Sequence, residues 1–153
     1  MPYRFTLATF EQLSNAALYA ILKLRSEIFV VEQNIVYLDP DGYDQKSLHL
    51  CLMDGETLAG YARLLPPGLK FDDAAIGRFV VHKDYRNQKL GTRIFTRAME
   101  EIERLYGDAA ITIEGQEYLE KYYQSLGFVS ISAPYMLEGI MHVKLRYKKK
   151  APV

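Results

Sequence analysis

Ala75-Ile76-Gly77-Arg78-Phe79-Val80-Val81 is followed, after four residues, by Arg86-Asn87-Gln88-Lys89-Leu90-Gly91-Thr92. The first stretch is almost continuously apolar apart from Arg78, the pattern of a strand covered on both faces. The second is a polar turn that opens into a helix at Leu90, where Leu90, Ile94, Ala98, Ile102 and Leu105 form an apolar stripe reaching Tyr106. A strand feeding a helix through a short turn gathers the helix's unpartnered N–H groups and the positive end of its dipole at one point. Phosphate oxygens can accept several of those hydrogen bonds together. Gly91 has no Cβ to hold a phosphate away, and Arg86, Lys89 and Arg93 add positive charge.

Upstream, Tyr3 to Ala8 alternates as a first strand, and Phe10 to about Gln33 reads as a helix through Leu13, Ala17, Ile21, Leu24 and Ile28. Asn34 to Ser47 is a loop with Asp39-Pro40-Asp41-Gly42 as its turn. Leu48 to Met53 alternates, Asp54-Gly55 supplies a hairpin turn, and Thr57 to Leu65 returns. Downstream, Ala109 to Ile113 is a short central strand, and Tyr118 to Leu126 is a third helix stopped by Gly127. Phe128 to Ser132 and Ile140 to Tyr147 close the sheet. The order predicts one α/β (α+β) domain over residues 1–147, a mixed, mostly antiparallel sheet of about six to seven strands flanked by helices. Residues 148–153 form a short basic tail.

With 153 residues, 49% apolar and 25% charged, the chain has the balance of a single globular domain. No apolar run reaches the ~18 residues of a membrane helix, and the first residues carry no signal-peptide pattern. Cys51 is the only cysteine, so a reducing, cytoplasmic setting is expected. Zero net charge argues against a nucleic-acid partner. The charges are segregated, however. Glu27, Glu32, Asp39, Asp41 and Asp44 lie in a stretch without Lys or Arg, whereas Lys83, Arg86, Lys89, Arg93 and Arg97 face Asp84 alone. That division fits an anionic ligand at one place and a cationic one at another, beside the plain reading of solvated charge.

Neither G-x-G-x-x-G near the start of the chain nor G-x-x-x-x-G-K-[ST] occurs, which sets aside dinucleotide and P-loop sites. Val81-x-x-x-x-Arg86-x-x-Lys89-x-Gly91-Thr92 resembles the acyl-CoA pyrophosphate loop of GNAT acetyltransferases, R/Q-x-x-G-x-G/A, with Lys89 in place of the first glycine. Tyr122-Tyr123-Gln124-Ser125-Leu126-Gly127-Phe128 is similar to that family's Y-x-x-x-G-F helix end. Gln116 stands seven before Tyr123, where many members carry a CoA-contacting Asn. Leu24-Arg25, Phe29 to Gln33, Asp41-Gly42 and His49-Leu50 resemble the ElaA-like subgroup, which also tends to lack the first loop glycine.

The resemblance implies an N-acetyltransferase that moves acetyl from acetyl-CoA directly to a primary amine of a small molecule or peptide, with no acyl-enzyme. It also implies a sheet edge through which copies can pair as a homodimer. Phe79, Val80 and Val81 would bind the pantetheine arm, and Arg86 to Thr92 with Gln116 the rest of the cofactor. Tyr123 is the expected general acid for the leaving thiolate. A phenol titrates near ~10 and a thiol near ~8.5, a transfer uphill by ~2 kcal/mol in water that a dry cleft tolerates. Glu114, just beyond the third central strand, and Glu32, at the end of the first helix, are both candidates to deprotonate or attract the amine. Glu32, Gln33, His49 and Arg78 are expected on the acceptor side. A CoA-sensing or partner-binding module on the same fold is the alternative.

His49 and Cys51, two apart on a strand, are ~6.5–7 Å apart along the chain, too far for a nucleophile–base pair. Asp39 to Asp44 lacks the spacing of a calcium loop, and the three histidines have no ligand spacing, so no metal is expected. Arg63 and Arg78, in apolar strands, require partners, for which Asp41 and Asp44 are suited.

Overall fold

The computed structural model describes residues 3–149. Its eight strands are β1 (Arg4–Thr9), β2 (Leu48–Asp54), β3 (Thr57–Leu65), β4 (Ala74–Val81), β5 (Ile111–Gln116), β6 (Val129–Ser130), β7 (Tyr135–Leu137) and β8 (Ile140–Tyr147). They form one sheet in the order β1-β2-β3-β4-β5-β8-β6, with β7 also on β8. Every neighbouring pair is antiparallel except β4 and β5. The α-helices among the described residues are α1 (Asn15–Arg25), α2 (Leu90–Tyr106) and α3 (Glu120–Ser125), with shorter helical segments between elements.

Strand alternation decides which face meets which helix. Leu50, Leu52, Ala62 and Leu64 pack with Ile94, Phe95, Ala98 and Ile102 of α2. Cys51, Leu58 and Tyr61 pack with Ile21 and Leu24 of α1 and with Ile28 beyond it. Strand β3 is therefore buried on both faces from Leu58 to Leu65. Each large aliphatic side chain so covered contributes about 1.5–3 kcal/mol. Among the described residues, no helix is long and apolar enough to cross a membrane.

Strands β2, β3 and β4 and helix α2 follow the expected spans; other elements are corrected. The first helix begins at Asn15, not Phe10: Thr9 and Gln12 exchange hydrogen bonds in a separate turn, and the Ser14 hydroxyl caps the helix by accepting from Ala17 N–H at 3.0 Å. At Ser26 the α-helix becomes a π-helix through Glu32, closed by Gln33 N–H to Ile28 C=O. Strand β5 continues to Gln116, so Glu114 lies inside it. The third helix splits into a 3-10 turn, Glu117–Leu119, and the short α3. Strand β7 has three residues, too few for a period to show. In the tail Lys149 pairs with Glu103, and Lys150 to Val153 fall outside the described residues.

Two irregularities interrupt the sheet. Strands β4 and β5 pair only at Ala74–Ile111 and Ala75–Thr112, and then part. In β4, Gly77 opposes Arg63 and Val80 opposes Tyr61, so Arg78 and Phe79 together face Ala62. This is a β-bulge, and Arg78 holds φ at +51°.

Candidate active site

The parting of β4 and β5 opens a cleft of about 440 Å³. Residues 76–81 of β4 form one wall, and Glu114 and Gln116 of β5 the other. The π-helix roofs it. Its wider turn brings residues four and five apart onto one side, so Ile28, Phe29, Glu32 and Gln33 all face the cavity. Two contacts tie the roof across the mouth. Arg86 donates to Glu32 at 2.8 Å, and the Gln33 and Gln116 side-chain amides meet at 3.4–3.5 Å.

At the mouth, the turn before α2 keeps a left-handed shape without glycine: Asn87 and Lys89 have φ of +65° and +58°. No side chain caps α2, which leaves its first N–H groups free for a ligand. A Cβ on Gly91 would lie 3.3 Å from Phe79 Cζ and 3.6 Å from Val81 Cγ2. Gly91 thus lets α2 start directly against β4, in addition to clearing space outside. Thr92 and Tyr122 share a hydrogen bond at 2.9 Å, joining the turn to α3. The Gln88 side chain instead accepts from the Tyr3 hydroxyl at 2.6 Å.

Tyr123 projects from α3 into the cavity, its ring packed on Phe95, Phe128 and Tyr122. Burial pushes its phenol well above the ordinary range, so it stays protonated. The ring rests on β5 because residue 115 is glycine: a Cβ there would sit 2.6 Å from Tyr123 Cε2 and 2.8 Å from Cδ2. Gly115→Ala is therefore expected to displace the ring. It should lower stability by about 1–3 kcal/mol, read as a fall in melting temperature. An unchanged melting temperature would show that the ring has room.

Glu114 faces the same cavity with both oxygens engaged. Lys70 Nζ lies 2.8 Å from Oε1, and the Tyr135 hydroxyl donates to Oε2 at 2.6 Å. Burial acts to raise this carboxyl, but Lys70 and Tyr135 outweigh it and hold it below the ordinary carboxylate range.

His49 does not reach the cleft; that expectation is corrected. It is fully buried, and its Nε2 meets the Asp44 carbonyl at 2.9 Å and its Nδ1 the Tyr61 hydroxyl at 2.6 Å. A carbonyl only accepts, so Nε2 carries the proton. Burial depresses the pKa and keeps the ring neutral, so Tyr61 donates to Nδ1.

The acid-rich stretch does not form an open cation site either. Asp39, Asp41 and Asp44 turn inward onto Arg25, Arg63 and Arg78. Arg63 takes Asp41 bidentately, 2.7 Å on each arm, and Asp44 at 3.0 Å. Glu27 pairs with Lys23. Asp41 and Asp44 are the expected partners of Arg63, and Asp41 is shared with Arg78. Asp39, which also holds Arg78, and the buried Arg25 complete the network without a sequence signal of their own. Gly115 carries a signal once β5 is seen to reach Gln116, since glycine inside a strand often marks a close approach. Lys70 and Tyr135 carry none.

A central pair of strands parting into a cleft, a bulge on one of them and an uncapped helix at the mouth define the acyltransferase class of fold. A family model for acetyltransferase (GNAT) domains matches residues 9–149. The chain is 34% identical to protein ElaA of Escherichia coli over 134 residues, 86% of this chain and 88% of that one. The crystal structure of Escherichia coli ElaA superposes with a TM-score of 0.89 at 30% identity, covering 95% of this chain and 99% of the other. An acyl-CoA N-acyltransferase from Pseudomonas aeruginosa superposes at 0.92 with 34% identity and the same coverage. The chain belongs to the GNAT acetyltransferase family, in its ElaA-like subgroup.

Proposed function

We propose that the protein transfers acetyl from acetyl-CoA directly to a primary amine of a small molecule or peptide, without an acyl-enzyme. The observation that carries this reading is the Tyr123 side chain. It lines the cavity between the parted strands, and its hydroxyl, absent from the buried atoms left without a partner among the described residues, stands open to the cleft. A phenol so placed can donate to a group bound in the cleft.

The residues fit the cofactor. The β4 edge beside the parting, with Phe79, Val80 and Val81, offers peptide groups that β5 does not use. The free N–H groups from Leu90 onward, with Arg86, Asn87, Lys89 and Thr92 around them, offer hydrogen bonds and charge to phosphates. Gln88, turned toward Tyr3, contributes through its backbone, and Gln116 lies at the mouth. When bound, acetyl-CoA supplies the activated acyl group.

The protein's part is to hold it, to exclude water with the π-helical roof, and to keep a proton on Tyr123 Oη for the departing thiolate. Glu114 is held ionised and therefore attracts an incoming ammonium better than it deprotonates one. Glu32 and Gln33 line the same side, and Arg78 forms the wall opposite β5. Thiol release from acetyl-CoA, followed across a library of amines, tests the reading. Tight CoA binding with no thiol release for any amine would mark a CoA-sensing module instead.

The Glu32–Arg86 pair competes with any phosphate for Arg86. Glu32→Gln is expected to tighten CoA binding about two- to fivefold, the scale of an exposed ion pair. Titration calorimetry would read it, and weaker binding would give Glu32 a direct part in holding CoA.

A further inference from the structure

We infer that Asp39 is a positioning residue for the bulge of β4, acting through Arg78; the inference rests on the acyl-transfer reading above. Arg78 holds φ at +51° inside a strand, a conformation open to glycine and disfavoured for a long side chain. Such an outlier persists only where its surroundings over-determine it.

The surroundings here are specific. Arg78 Nε lies 2.9 Å from Asp39 Oδ1, close enough to pair though out of line for a hydrogen bond, and its outer nitrogen donates to the Asp39 carbonyl at 2.8 Å. The Tyr37 ring lies under the guanidinium at 5.8 Å, and the Tyr37 hydroxyl donates to Asp39 Oδ1 at 2.8 Å. Asp39, 3% exposed, is itself fixed by Arg25 Nε on Oδ2 at 2.8 Å. A loop carboxylate, braced from α1, therefore clamps the side chain of the one bulged residue with positive φ.

The consequence lies in the cleft. Because Arg78 and Phe79 share one opposing residue, the β3 ladder is broken where β4 lines the cavity. Peptide groups released there can point at an acyl oxygen, and a donor so aimed acts on the transition state more than on binding. Asp39 touches no reacting group; it sets where that stretch of backbone points.

The test compares Arg78→Gly, Arg78→Asn, Arg78→Ala and Asp39→Asn, with Asp39→Asn also combined with Arg78→Gly. If the side chain serves to hold φ positive, kcat follows the ease of that conformation, glycine above asparagine above alanine. Arg78→Gly and Arg78→Ala lose the same guanidinium from the cleft wall, so the readout is their difference: glycine should keep at least about threefold more kcat than alanine. Arg78→Ala should fall at least tenfold, about 1.4 kcal/mol, with KM for acetyl-CoA within twofold. Asp39→Asn should fall as Arg78→Ala does, yet add nothing to Arg78→Gly. Equal kcat losses for the glycine and alanine variants, or full activity in Asp39→Asn, would overturn the inference. Thiol release by no protein, native included, would remove the acyl-transfer reading alone. Amide exchange at Val80, where the β3 ladder resumes opposite Tyr61, then decides the clamp: slow in the native chain and Arg78→Gly but fast in Arg78→Ala supports it, and equal rates overturn it. Should the alanine variant fail to fold, the glycine–asparagine difference gives the same readout.

Discussion

Tyr123→Phe is expected to lower kcat for acyl transfer at least a hundredfold while leaving the CoA dissociation constant within twofold. Proton transfer from a positioned side chain is commonly worth 10²–10⁴, and the substitution removes the hydroxyl and nothing else. The ring keeps its packing against Phe95 and Phe128, and its fit over Gly115. With no hydrogen-bond partner lost, the melting temperature should barely move. Burial raises the Tyr123 pKa, so the proton is present throughout the neutral range, and an alkaline loss of kcat from this group belongs above about pH 10. Stopped-flow thiol release with a good amine acceptor reads the first effect directly. An unaltered kcat would remove Tyr123 as the acid and leave the proton to water.

The second large effect concerns stability. Arg25→Met is expected to cost about 3–5 kcal/mol, the usual consequence of removing one partner from a buried charge pair. Arg25 is completely buried, with Nε on Asp39 and a terminal nitrogen on Asp44 at 2.7 Å. Burial alone would weaken its charge, but Asp44, Tyr61 and Asp39 outweigh it and the guanidinium stays ionised. Methionine has comparable length, so the loss measures charge rather than a cavity. For a domain of this size the melting temperature should drop by roughly 6–20 °C. A drop under about 2 °C would show that Arg63 and Arg78 absorb the freed carboxylates.

The same network sets the response to acid. Asp44 is buried and the Asp41 side chain is partly covered, which acts to raise their pKa values, but Arg63 at Asp41 and Arg25 at Asp44 reverse this and hold both below the ordinary carboxylate value. Groups depressed in the folded state contribute fully above the unfolded pKa, about 3.9, and lose that contribution as pH falls toward the folded values. Urea midpoints should therefore show no loss from these groups between pH 7 and about 5, and should decline below about 4. A decline already beginning near pH 6 belongs to His49, whose buried neutral ring takes up a proton only on unfolding.

The elements that could be read from sequence share a property: a period long enough to show. Strand β2 alternates, β3 and β4 are near-continuous apolar runs and helix α2 carries a full helical stripe, bounded by Asp54-Gly55, Pro66-Pro67-Gly68 and Gly107. The elements that could not be read are short or change period midway. Strand β7 has too few residues, and a π-helix continues the apolar pattern of α1 closely enough to pass for it. The Arg86–Thr92 turn is legible although Lys89 stands where the family pattern has a glycine, because the flanking strand and helix fix where the turn must be. Its left-handed backbone survives the substitution.

What the sequence determined by itself was the family, the order of the central elements, and the placing of Tyr123 and the Arg86–Thr92 turn. All of these depend on residues close together along the chain. Tertiary structure decided the charges. Glu27 to Asp44 read as an open acidic surface, yet Asp39, Asp41 and Asp44 are consumed by arginines from α1, β3 and β4, and His49 is buried beside them. It also decided the bulge at Arg78 and the bare patch of β5 at Gly115. A local pattern records which residues are charged or small; which of them meet depends on contacts between segments tens of residues apart, and only the closed sheet brings those together.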